Sequence, residues 1–142
     1  LKVVVTGSRY WLWENDIKAA IFALPPNSIV VHGGSGNADR LAGKYAREAG
    51  HDEVIYRANW KKYKRKAGPI RNSQMLDEAK PDKVLAFRRG GKTSKGTTDC
   101  IEKAKARGIL VEIVERCLEG FDNPLDCPEQ IALIRAATKV KV

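Results

Sequence analysis

Acidic residues are scarce in this chain. It carries 17 Asp and Glu against 26 Lys and Arg, a formal net charge of +9. The surplus favours anionic partners such as nucleotides or nucleic acid, or serves only solubility. Cysteine is also rare. Cys100, Cys117 and Cys127 form no CxxC pair, and the two histidines, His32 and His51, stand far apart. No structural zinc site is expected from such spacing, and the thiols read as buried or idle. No apolar run approaches the length of a membrane span, and no charged-then-apolar leader occurs. A membrane partner is therefore not expected, nor a targeting sequence, and the cytoplasm is the expected compartment. Repeats and low-complexity segments are missing as well. Hydrophobic residues make up 43% of the 142 positions, which excludes a disordered polymer and fits one domain, 1–142.

Within that frame, short β-branched or apolar runs alternate with helix-period segments. Lys2-Val3-Val4-Val5-Thr6 is a continuous apolar run, as expected of a strand covered on both faces. Ile17, Ala20, Ile21 and Leu24 follow at helical spacing, and Pro25-Pro26 stop that helix. Ser28 to His32 reads as a second strand. The next helix shows Ala38, Leu41, Ala42, Tyr45, Ala46 and Ala49 on one face, with Gly50 closing it. Glu53 to Tyr56 is a weak third strand, Lys83 to Phe87 a fourth and Ile109 to Val114 a fifth. A short helix with Arg71 and Asn72 in its first turn precedes the fourth strand. Thr97, Cys100, Ile101 and Ala104 lie at i, i+3, i+4 and i+7 on the helix after it. The alternation predicts an α/β fold, a Rossmann-like doubly wound parallel sheet of about five strands in the order 3-2-1-4-5. A C-terminal helix is expected to start near Pro128, within an extension over 119–142 beyond a core of 2–114.

Three glycine turns follow strands one, two and four: Gly7-Ser8-Arg9, Gly33-Gly34-Ser35-Gly36-Asn37-Ala38-Asp39, and Gly90-Gly91-Lys92-Thr93-Ser94-Lys95-Gly96-Thr97. In a doubly wound sheet these ends share one edge, where ligands bind. Strand, glycine turn and helix together aim backbone N–H groups and a helix dipole at one point, and a phosphate fits there. Any one turn reads equally well as a surface loop; the convergence of three favours the anion site. Arg9 could grip a phosphate or simply be exposed. Asp39, in a first helical turn, could accept from a ribose hydroxyl, orient Arg40, or only start its helix. His32 reads as a satisfied strand-end histidine. Tyr10-Trp11-Leu12-Trp13 could stack on a base, although at least one tryptophan is expected in the core. From Arg57 to Arg71 there are seven basic residues, no acidic one, and Trp60 and Tyr63 between them. That composition suits nucleic acid, and equally a solvated loop beside an anion site.

Taken in register, the motifs resemble the SLOG superfamily, the Rossmann-like group that includes the lonely-guy enzymes and the DprA proteins. They are most similar to its small YspA-like branch. The resemblance rests on Val5 to Arg9, His32 to Ala42, Ala58-Asn59-Trp60, Gly68 to Asn72 with Met75, and Gly90-Gly91 with Gly96-Thr97. It implies a nucleotide or nucleotide-derivative site at the strand ends. The family's phosphate loop falls on Gly90 to Thr97 and its arginine motif on Arg71-Asn72. Three departures stand out. Arg89 replaces the usual proline before the glycine pair, and Lys92 to Lys95 lengthen the loop. Where the lonely-guy hydrolases carry a glutamate this chain has Cys100, with Asp99 one residue earlier.

Three functions stay open. The first is binding of an AMP- or ADP-ribose-like ligand, as sensor or processing protein. Gly7, Ser8, Arg9, Gly33, Gly34, Ser35, Asp39, Arg71, Asn72, Gly90, Gly91, Lys92, Gly96 and Thr97 would form its site, with Lys95 adding charge. The second is a phosphoribohydrolase cleaving an N-glycosidic bond, with Asp39 or Asp99 as the catalytic carboxylate. The third is DprA-like nucleic-acid binding through Arg57 to Arg71, expected to be weak and non-specific. No cofactor or metal is called for, and a homo-oligomer is left open.

Overall fold

The computed structural model describes residues 1–89 and 94–116. The predicted C-terminal helix, Cys117 and Cys127, and the Gly90 to Thr93 part of the third turn lie outside them.

Val3, Val4 and Val5 are fully buried, because strand β1 (Lys2–Gly7) lies at the centre of the sheet with helices on both faces. β2 (Ile29–His32) and β3 (Asp52–Ile55) follow on one side, β4 (Lys83–Arg89) and β5 (Leu110–Arg116) on the other. The order is β3-β2-β1-β4-β5 and every pair is parallel, as the alternation of elements predicts. The edge strands show it in their residues: Val54, Ile55, Leu110 and Val114 are exposed.

Two apolar layers sandwich the sheet. On one face α1 (Glu14–Phe22) and α2 (Asn37–Glu48) place Ile17, Ile21, Leu41 and Tyr45 over Val3, Val5, Val30 and Phe87. Trp11 is fully buried in that layer, edge-on to Phe87 at 5.5 Å, so this tryptophan is core. On the other face α4 (Ala67–Ala79) and α5 (Lys95–Ala106) bring Met75, Leu76, Cys100 and Ala104 against Val4, Val31 and Val84. The helical stripe Thr97, Cys100, Ile101 and Ala104 is buried throughout.

The basic stretch differs from its sequence reading. It is not an irregular loop: α3 (Trp60–Tyr63) and a 3-10 turn (Lys64–Lys66) lead directly into α4. Helix α4 begins at Ala67, so Gly68-Pro69 do not break the chain. A proline in a first turn loses no hydrogen bond, since N–H groups there have no intrahelical acceptor. Arg71 and Asn72 consequently sit one turn further along the helix than their spacing from Pro69 suggests. Among the described residues, no helix is long and apolar enough to cross a membrane.

Candidate functional site

The C-terminal ends of β1 and β2 open into a cavity of about 480 Å³. The N-termini of α2 and α5 flank it, and α3 and α4 close one side. The volume falls in the range of small-molecule sites. A shallower lobe of about 310 Å³ adjoins it and shares Arg9, Gly33, Ser35 and Trp60 with the deep lobe.

The glycine turns hold this geometry for packing reasons as much as for ligand access. A Cβ on Gly7 would lie 2.5 Å from the Ala38 Cβ and 3.0 Å from the Phe87 carbonyl oxygen, so only glycine lets α2 start this close to β1. A Cβ on Gly33 would lie 2.0 Å from an Arg71 guanidinium nitrogen. That nitrogen donates to the Gly33 carbonyl at 3.0 Å and to the Tyr56 carbonyl at 3.3 Å. Arg71 is buried, and its Nε donates to the Asn72 side-chain oxygen at 3.0 Å. The Asn72 amide in turn donates to the Gly96 carbonyl at 3.2 Å and to Asp99 Oδ2 at 3.0 Å. This relay ties the second glycine turn to the start of α5 through α4.

The two carboxylates in the cavity differ sharply. Asp99 is held on one oxygen by both Asn72 and Lys103, the latter at 3.0 Å. Asp39 is buried, and its Oδ2 accepts from the Ser35 backbone N–H at 3.1 Å and the Ser35 hydroxyl at 3.3 Å. Its Oδ1 is buried with no hydrogen-bond partner among the described residues. A buried carboxylate oxygen without a donor is costly, and native structures rarely leave one. Asp39 is one of the residues that line the deep lobe.

The cations are distributed just as unevenly. Away from the cavity, acidic groups pair: Asp16 with Arg116, Glu53 with Arg47, Asp77 with Arg107, Glu112 with Lys83 and Glu115 with Arg88. At the cavity, the side chains of Arg9, Arg57, Arg65 and Lys95 have no hydrogen-bond or ion-pair partner among the described residues. Two exposed rings, Tyr10 and Trp60, complete the lining.

Of the residues marked by sequence, Gly7, Arg9, Gly33, Ser35, Asp39, Arg71, Asn72, Gly96, Thr97 and Asp99 meet in the deep lobe, and Gly34 lines the shallow one. Gly90, Gly91 and Lys92 lie outside the described residues. Ser8 lines neither lobe: its hydroxyl accepts from the Tyr10 N–H at 3.2 Å and its own N–H donates to the Phe87 carbonyl at 2.9 Å, so it knots the turn from beneath. His32 is a satisfied strand-end residue, with Nε2 2.7 Å from Glu53 Oε2 and Nδ1 accepting from the Gly34 N–H at 3.0 Å. Burial pushes the Cys100 thiol up to about 11, the behaviour of an inert core residue. Sequence reasoning did not mark Arg65, Pro69 and Met75 as lining residues, and named Tyr10 only within a cluster that could stack on a base and Trp60 only within the basic-aromatic run. The signal that could have found Trp60 was its place in the Ala58-Asn59-Trp60 motif, ahead of a basic run with no acid to pair it.

A parallel sheet with this order, and a cavity at its carboxyl edge between helix N-termini, defines a Rossmann-like α/β domain. A family model described as the YspA, cpYpsA-related SLOG family matches residues 1–63. The gene 61 protein of Mycobacterium phage D29 is 35% identical over 120 residues, which covers 78% of this chain and 93% of that relative. The chain belongs to the YspA, cpYpsA-related branch of the SLOG superfamily. Among solved structures, DNA processing protein A (DprA) from Streptococcus pneumoniae aligns with a TM-score of 0.49 and 15% identity, over 78% of this chain. The chain spans 58% of the length of that DprA chain. Family membership supports a nucleotide-related role, without naming a ligand or an activity.

Proposed function

We propose that the protein binds a nucleotide or nucleotide-derived ligand, AMP- or ADP-ribose-like, in the deep lobe, as a sensor or processing protein. The observation that carries this is buried Asp39, whose Oδ1 has no hydrogen-bond partner among the described residues, in a cavity edged by cations, Arg9, Arg65 and Lys95, that form no ion pair among them. A bare anion does not suit a lobe with a carboxylate in its wall. A ligand that is anionic at one end and donates a hydroxyl at the other does.

In this arrangement the phosphate sits at the N-terminus of α5. The free N–H groups around Gly96 and Thr97 and the Lys95 ammonium neutralise it, and Thr97 adds its hydroxyl. A ribose hydroxyl donates to Asp39 Oδ1. Tyr10 and Trp60 offer stacking faces for the base. Arg71 contributes mainly by fixing the Gly33 carbonyl, since that bond and those to Tyr56 and Asn72 already engage it. Calorimetry with AMP tests the assignment. Asp39→Asn keeps an acceptor for Ser35 but replaces a charged hydrogen bond to the sugar with a neutral one, an expected loss of about tenfold in affinity. An unchanged affinity in a folded Asp39→Asn variant would place the sugar elsewhere.

The same orphan oxygen favours Asp39 over Asp99 in the second reading, a phosphoribohydrolase. A carboxylate beside the sugar is what a cationic glycosyl transition state requires. Asp99 is already held by Asn72 and Lys103. The third reading, nucleic-acid binding, draws on the basic side chains of α3 and the 3-10 turn, which form no ion pair among the described residues. It predicts affinity that collapses with rising salt. Tight binding at physiological salt, lost when Lys61, Lys62, Lys64 and Arg65 become Glu, would put it first.

A further inference from the structure

The sheet has two edges. β5 ends at Arg116, where the described residues also end. β3 borders β2 on one side and no strand of the described residues on the other. The Asp52 N–H donates to the Ser28 carbonyl at 3.0 Å and the Tyr56 N–H to the His32 carbonyl at 2.8 Å. Backbone groups two residues apart on a strand face the same neighbour. Asp52, Val54 and Tyr56 therefore serve β2, and Glu53, Ile55 and Arg57 turn their N–H and C=O groups outward. Proteins usually guard such an edge with lysine, proline or a bulge. Residues 51–57 hold no lysine or proline, and the register with β2 runs unbroken from Asp52 to Ile55. Instead, Val54 and Ile55 are each 39% exposed. Glu53 stands on the α2 face, bonded to Arg47, and Ile55 shares that face by alternation. Arg57 follows Ile55: a Cβ on Gly34 would meet the Ile55 methyl at 3.0 Å and the Arg57 guanidinium at 3.1 Å. Val54 and Tyr56 take the opposite face, where Tyr56 packs on the layer of Val31 and Met75. The edge is thus acidic at one end, cationic at the other and apolar between. Arg57 forms no hydrogen bond or ion pair among the described residues.

We propose that β3 is the joint of a two-fold homodimer, pairing antiparallel with β3 of a second copy about an axis at Ile55. In that register Ile55 faces its own counterpart, Val54 faces the partner's Tyr56, and Glu53 faces the partner's Arg57. The outward backbone groups of all three residues close hydrogen bonds across the joint. Opposite charges, and an aromatic ring against a β-branched side chain, are favourable cross-strand pairs. The alternatives are worse. A parallel joint sets Glu53 against Glu53 and Arg57 against Arg57. Centring the antiparallel pair on Val54 sets the Glu53 carboxylate against Ile55, and centring it on Glu53 sets that carboxylate against itself. The contact is isologous, so one self-complementary strand serves both copies. Two five-stranded sheets become one continuous sheet, and Arg57 gains the acidic partner that its own chain does not give it. A joint this short lies at the small end of interface sizes, so the dimer is weak, in the micromolar range or above.

Sedimentation equilibrium of the wild-type chain from about 1 µM to about 1 mM is expected to show monomer and dimer in exchange. Ile55→Lys and Ile55→Glu each set like charges across the axis and should weaken the dimer by about tenfold or more. An equimolar mixture of the two variants should recover it, because the introduced lysine then faces the introduced glutamate. Ile55 is exposed in the monomer, so neither change empties the core, and circular dichroism checks the fold. Hydrogen exchange on the wild type gives a readout that needs no variant. The Ile55 N–H should gain protection as concentration rises, while the Val54 N–H, which serves β2, stays protected throughout. A wild-type chain that remains monomeric at about 1 mM overturns the proposal and leaves this edge to a strand of another protein. A dimer that neither variant weakens, or an Ile55 N–H indifferent to concentration, overturns it by placing the contact elsewhere. Variants that are monomeric alone and stay so when mixed overturn the pairing about Ile55.

Discussion

Asn72→Asp is nearly isosteric, yet it should be among the more damaging single changes at this site. Asn72 is buried and uses both ends of its amide. The oxygen accepts from Arg71 Nε at 3.0 Å, and the nitrogen donates to the Gly96 carbonyl at 3.2 Å and Asp99 Oδ2 at 3.0 Å. Aspartate keeps the first bond and strengthens it with charge. It loses both donors, and sets a second carboxylate oxygen against Asp99. Two unit charges about 3 Å apart repel by about 5–6 kcal/mol at an effective dielectric of about 20. The Arg71 guanidinium and the Lys103 ammonium offset part of this, so a net loss of about 2–4 kcal/mol is expected. The pH dependence separates repulsion from lost packing. A carboxyl facing another carboxylate titrates above its unfolded value of roughly 3.9. The variant should therefore approach wild-type stability below about pH 4, and fall behind it as pH rises through the raised folded-state value. Urea unfolding of both proteins between acid and neutral pH measures this. A deficit that is constant with pH, or smaller than about 1 kcal/mol at neutrality, would mean that the relay from Arg71 to α5 does not hold the site as argued.

Three further outcomes follow from the same structure. Gly43 lies inside α2, where alanine ordinarily gains up to about 1 kcal/mol. Here its Cβ would lie 2.0 Å from Glu53 Oε2 and 2.9 Å from His32 Nε2, so Gly43→Ala should destabilise by about 1–3 kcal/mol in denaturant melts, and a stabilised variant would contradict the packing. Burial works to raise the Glu53 carboxyl, but hydrogen bonds from His32 and Arg47 outweigh it and hold the group below its usual value. Its contribution is present above the unfolded value of roughly 4.3 and lost as pH falls through the lower folded value, so Glu53→Gln should flatten the acid limb of the stability curve; an unaltered limb would show that the pair is idle. Incubation with AMP or N6-substituted AMP should release no free base by chromatography, because Cys100 is buried where the lonely-guy hydrolases carry a glutamate and Asp99 is held by Asn72 and Lys103; multiple turnover abolished by Asp39→Asn would establish the hydrolase instead.

Much of the fold was legible in the chain itself. Val3 to Val5 and Val84 to Phe87 are apolar without interruption because both faces of a central parallel strand are covered. The i, i+3, i+4, i+7 stripe of α5 marks the side that meets the sheet. Once such elements alternate, right-handed crossovers leave few strand orders, and glycine turns after β1, β2 and β4 must share an edge. Local pattern therefore determined the architecture and the neighbourhood of the site. What it could not reach were relations between residues far apart in sequence. The start of α4 at Ala67 depends on a proline tolerated in a first turn. Arg71 and Asn72 read as ligand contacts; the fold adds their hydrogen bonds to the Gly33 carbonyl, Gly96 and Asp99. Gly43 looks like a weak helix position until Glu53 and His32 are seen against it. Only the tertiary structure leaves Asp39 Oδ1, Arg9 and Arg57 without a partner among the described residues and turns Tyr10 and Trp60 toward one space. A hydrogen-bond vacancy or an unpaired charge is a property of everything that surrounds a group, and nothing in its sequence neighbours encodes it.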